Sequence, residues 1–122
     1  MIKLLLILTL LAGTVLKGSV RYGSTDAWDN AGHPTVPIIE STLVYKKIPA
    51  YQTIIKENIR KGSARYTHLM LEATNTYKSK LRDLATKHNY IIIVEKGGVV
   101  NHPVKNITLD VISLLNSTST VR

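Results

Sequence analysis

The stretch that most constrains this chain is residues 89–116, NYIIIVEKGGVVNHPVKNITLDVISLLN. Ile91, Ile92, Ile93 and Val94 form a short β-branched run, which reads as a buried strand because such side chains fit a pleated surface. Gly97-Gly98 follows and supplies the positive φ that a tight turn needs. Val99 and Val100 are therefore expected to pair back as the second arm of a hairpin. Pro103 has no N–H to give a ladder and ends that arm. Asn106 or Thr108 can then cap a helix, whose apolar face is Ile107, Val111, Ile112 and Leu115. No catalytic group stands out here. The six aliphatic residues 91–94, 99 and 100 are the candidate core or subunit interface.

Upstream, the longest periodic stretch runs over 64–88. Tyr66, Met70, Ala73, Tyr77, Leu81, Leu84 and His88 recur at steps of three and four, which predicts an amphipathic helix of about seven turns. Before it, Pro49 suits a first helical turn. Tyr51, Ile54, Ile55 and Ile59 give a second apolar stripe, ended by Gly62-Ser63. The two are expected to form a short antiparallel helical hairpin. Residues 38–45, IIESTLVY, read as the first strand. The expected architecture is α+β: a small β body made of that strand and the C-terminal hairpin, plus the helical hairpin and a C-terminal helix.

Composition limits the function classes. The chain has 122 residues, enough for one domain. Cysteine is absent, which removes disulfides, thiol catalysis and thiolate metal sites. The formal net charge is +8, which favours anionic partners: nucleic acid, anionic lipid or lipopolysaccharide, or acidic protein faces. Ten basic residues between Lys46 and Lys87 face three acidic ones, Glu57, Glu72 and Asp83. Lys56, Arg60, Lys61, Arg65, Lys78, Lys80, Arg82 and Lys87 are thus candidates for an anion-facing surface, with a solvated helix face as the plainer account.

The N-terminal region supplies the remaining features. Residues 1–20 carry an early lysine and an apolar run of about 12 residues, too short to span a bilayer and fit for a secretory signal. An uncleaved anchor and a buried helix are the alternatives. With no cysteine following, a lipoprotein anchor is excluded. Residues 21–37, rich in Gly, Ser, Asp, Asn and Pro, read as a flexible arm. Trp28 is its one large apolar group, expected to pack locally. Asp26, Asp29 and His33 can be drawn as a metal site, but a solvated loop explains them better. Asn106-Ile-Thr108 and Asn116-Ser-Thr118 match the N-glycosylation pattern, which arises often by chance. The polar tail, 117–122, is expected to fray.

Two segments together resemble the Skp/OmpH family of periplasmic chaperones. IIESTLVYKKIPAYQTIIKENI is similar to the family's opening strand and a helix reached through Pro-x-Tyr, here Pro49 and Tyr51. YIIIVEKGGVVNHPVKNITLDVISLLN is similar to its closing hairpin and helix, with Ile107, Thr108, Val111 and Leu115-Asn116 in the matching places. The resemblance covers residues 38–116, the expected single domain. It implies an exported protein of the periplasm with a trimeric β-rich body and helical tentacles that hold unfolded outer-membrane proteins. Family tentacles are much longer. Here each helix is expected to reach only about 25–35 Å at 1.5 Å per residue.

The resemblance makes a holdase or outer-membrane assembly factor the first expectation, acting without ATP or any cofactor. Tyr66, Leu69 and Met70 are the candidate client contacts, although packing between the two helices is the simpler account of Tyr66 and Met70. The alternative is a trimeric envelope protein that has lost the client cavity. A nucleic-acid partner is not expected beside an apparent export signal. Catalysis is the weakest reading, since His33, His68, His88 and His102 lack zincin spacing and no nucleophile elbow occurs.

Overall fold

The computed structural model describes residues 13–121, and the side chains of 13–116. It is an α+β chain, as expected, and it divides into two compact units. The sheet unit takes the chain up to Ile39 and Ile91–Asn106; the helical unit takes Glu40–Tyr90 and the chain from Ile107.

Among the described residues, the sheet unit contains six strands: β1 (Thr14–Val15), β2 (Val20–Gly23), β3 (Val36–Ile39), β4 (Ile92–Glu95), β5 (Val99–Val100) and β6 (Val104–Asn106). Four of them form a sheet in the order β2-β4-β3-β6. β4 runs antiparallel to β2 and parallel to β3, with Val94 opposite both Val20 and Ile38. β6 runs parallel to β3, with Val36 opposite Val104. A parallel pair needs a long crossover, and residues 40–91 supply it. Val36 and Ile38 share one face with Ile92 and Val94, where Val15 and Trp28 complete a buried cluster. Ile39 and Ile93 alternate to the other face and are also buried. Burial on both faces is why Ile92-Ile93-Val94 is an unbroken apolar run.

The expected hairpin does not form. The turn is there: Gly97 has φ 95° and the Gly98 N–H donates to Glu95 O at 2.9 Å. But both sides of β4 are taken by β2 and β3, so β5 pairs instead with β1, Val15 opposite Val99. The 21–37 stretch, read as an arm, also carries regular structure: the end of β2, helix α1 (Thr25–Asn30) and the start of β3. Ser24 caps α1 through its Oγ, which accepts the Ala27 N–H at 3.1 Å. Trp28 is only 2% exposed, and its Nε1–H donates to Pro34 O at 2.9 Å. Residues 13–20, expected within the leader, contribute β1 and the first residue of β2. The leader's apolar run over 1–12 lies outside the described residues. Among the described residues, no helix is long and apolar enough to cross a membrane.

The helical unit holds α2 (Ser41–Tyr45), α3 (Pro49–Lys56), α4 (Ala64–His88) and α5 (Thr108–Val121). The strand expected over 38–45 stops at Ile39, and the rest of it is α2. The backbone turns there: the Leu43 and Val44 N–H groups donate to Glu40 O at 3.0 and 3.4 Å, the short-range bonds of a helix in place of a ladder. The 64–88 periodicity matches α4. Ser63 Oγ accepts the Tyr66 N–H at its start, and Asn89 ends it in the left-handed conformation at φ 58°. Ala73, Tyr77, Leu81 and Leu84 are its buried stripe. α3 packs on α4, but the two are unequal. The eight residues of α3 reach about 12 Å and the 25 of α4 about 37 Å, so the expected reach of about 25–35 Å for each helix is corrected to a short helix against a long one. α5 continues to Val121, through the tail expected to fray.

Candidate binding surface

Helix α3 shows how the surface of the helical unit arises. Ala50 and Ile54, one turn apart, are buried. Tyr51 and Ile55 sit one residue further along, about 100° round the helix, and face outward. Tyr51 is half-buried and Ile55 is 65% exposed. Lys46, Tyr51, Gln52, Ile55 and Lys56 line a mainly apolar groove of about 340 Å³. The Gln52 side-chain amide donates to Lys46 O at 3.1 Å and fixes one end. Among the described residues, neither Lys46 nor Lys56 is in an ion pair, and no carboxylate lines the groove.

Tyr51 is also a wall of a second groove, about 240 Å³, with Ser41, Thr42, Tyr45 and Met70. Three tyrosines floor this region in series. Tyr51 meets Tyr45 edge to face at 5.8 Å, and Tyr45 stacks on Tyr77 at 4.8 Å. Such offset pairs add modestly to what burial contributes. Hydroxyls hold them in place: Tyr45 donates to Thr74 Oγ1 at 3.1 Å, and Tyr77 shares a very short hydrogen bond with Ser41.

Of the candidate client contacts, Met70 lines the second groove; Tyr66 and Leu69 are half-buried on α4 and line neither. The surface apolar groups that periodicity missed are Leu43, Leu71 and Leu109, the last two 59% and 76% exposed. The available signal was their position one step off a buried stripe. The basic residues are exposed apart from the half-buried Lys80, but they do not form one patch. Lys56, Arg60, Lys61 and Arg65 cluster at the α3–α4 connection, where Arg65 pairs with Glu57 at 2.7 Å. Lys78, Lys80, Arg82 and Lys87 start about 20 Å further along α4, and Lys80 lies 4.0 Å from Asp83.

In the sheet unit, Ile92, Ile93 and Val94 are core residues of the chain itself; Ile91 and Val99 are half-buried and Val100 is exposed. Asp29 and His33 approach to 2.8 Å, and the His33 and His102 rings both lie against Trp28. Among the described residues, no group of three or more His, Cys, Asp or Glu side chains could hold a metal ion. Comparison with known proteins adds no relative: no family model, no curated protein and no solved structure matches the chain.

Proposed function

We propose that this chain is a holdase-type chaperone or outer-membrane protein assembly factor of the periplasm, binding unfolded clients without ATP as a homotrimer. The observation that carries the reading is the groove of the helical unit, where the exposed Ile55 and the half-buried Tyr51 stand beside Lys46 and Lys56. Contiguous apolar surface rimmed by polar groups marks an interaction site. The surrounding cations steer acidic chains or anionic lipid and lipopolysaccharide toward it. The work is non-covalent, and the likeness to the Skp/OmpH pattern supports both the trimer and the compartment.

A second reading, a trimeric structural protein of the envelope without a client cavity, is favoured by one specific observation. An α3 of about 12 Å is far too short to pair along α4 into an enclosing tentacle. Clients would therefore be held on the surface. The test is aggregation of a chemically unfolded outer-membrane protein diluted into buffer without nucleotide. Equimolar trimer should suppress light scattering; no suppression at a severalfold excess supports the structural reading.

A further inference from the structure

The two grooves on either side of Tyr51 point to a specific kind of ligand. We infer that they bind one extended, acidic and apolar polypeptide segment, two alternate side chains of which enter the grooves while a following carboxylate meets Lys46 and Lys56. The inference rests on the client-binding reading above and narrows it to a segment chemistry.

Size argues for a polypeptide. Grooves of about 340 and 240 Å³ fall at or below the bottom of the range that encloses a drug-sized molecule. Each suits a side chain or two. Tyr51 separates them, so a continuous acyl chain meets a partition, whereas side chains i and i+2 of an extended segment fall naturally on either side of one ring. The first groove is walled by Ile55 and Tyr51, which suits an aliphatic or aromatic side chain. The second ends at Thr42, whose exposed hydroxyl suits a peptide group.

Charge sets the rest. Lys46 and Lys56 flank the apolar floor with no carboxylate among the lining residues. A segment with Asp or Glu after its apolar residues completes the site, and one with Lys or Arg there is repelled. Two lysines beside an isoleucine make a poor track for a phosphate backbone, which needs a run of cations.

The experiment is fluorescence anisotropy on the full chain with three fluorescein-labelled peptides: Leu-Thr-Leu-Asp-Glu, Leu-Thr-Leu-Lys-Lys and Ser-Thr-Ser-Asp-Glu. The first should bind at least about tenfold tighter than the other two. Ile55→Ser and the double variant Lys46→Glu/Lys56→Glu, all at exposed positions, should each weaken it roughly tenfold. Asn75→Ser, exposed on α4 and outside both grooves, should leave it unchanged. Equal binding of the three peptides, no binding by the wild type, or affinity untouched by both groove changes overturns the inference. The same variants in the aggregation assay separate the two proposals. Undiminished client protection by both groove variants sinks the grooves but keeps the holdase. Variant-sensitive peptide binding without client protection keeps the grooves and sinks the holdase.

Discussion

Thr108 Oγ1 accepts the backbone N–H of Glu40 at 2.9 Å, joining the residue before α2 to the first turn of α5 across 68 positions of sequence. Thr108 is 3% exposed, the one buried polar side chain of the described core. Thr108→Val keeps its shape and removes the acceptor, and should destabilise the chain by about 1–2 kcal/mol. Thr108→Ser keeps the oxygen and loses a methyl, and should cost about half as much. Urea unfolding followed by far-UV circular dichroism measures both, and equal losses would show that the hydroxyl is irrelevant.

Trp28 gives a second test. It is buried, with the His33 and His102 rings against it, and donates to Pro34 O. Trp28→Phe retains a ring and forfeits the donor, so a loss of about 1–3 kcal/mol is expected. As the sole tryptophan, Trp28 should emit at short wavelength in the native wild type and shift red through the unfolding transition. Red-shifted native emission would contradict its burial.

The start of the folded unit can be located by truncation. Val15 is buried, and among the described residues β5 pairs with β1 alone. A chain beginning at residue 21 should therefore be about 2–4 kcal/mol less stable than one beginning at residue 13. Indistinguishable urea midpoints would show that β1 adds nothing to the stability of the folded unit.

Asn89 closes α4 at φ 58°. Asn89→Ala places a β-carbon in the left-handed region with no side-chain hydrogen bond to offset it, and should cost about 1 kcal/mol. Asn89→Gly removes the steric penalty and should leave stability unchanged or slightly raised. Thermal melts of the two variants should diverge in opposite directions from the wild type or, at the least, leave alanine lower.

What was legible in the sequence was local. α4 followed from its periodicity, because Ala73, Tyr77, Leu81 and Leu84 form one stripe that a single helix buries. The apolar run at 91–94 announced a buried strand for the same reason. Strand partners were not legible: nothing in Val99-Val100 says that β1, more than eighty residues upstream, will take it while β2 and β3 occupy β4. Residues 21–37 failed because turn-forming composition hid a capped helix whose single anchor, Trp28, packs outside any repeating pattern. At the candidate surface, Met70 was found through its place on α4. Ile55 reads as part of the same stripe as Ile54, but it lies about 100° further round α3 and is 65% exposed.

The sheet order β2-β4-β3-β6 has a consequence for how the chain is made. β3 emerges early, yet both of its neighbours, β4 and β6, come from the last third of the sequence. Until residue 95 has been delivered, Ile38 and Ile39 have no ladder partner, Val36 waits further for Val104, and closing the β3–β4 pair requires the whole intervening segment to loop back. A chain threaded from its N-terminus thus carries β3 as an unpaired strand while residues 40–91 are made. Until then, the chain itself needs sheltering.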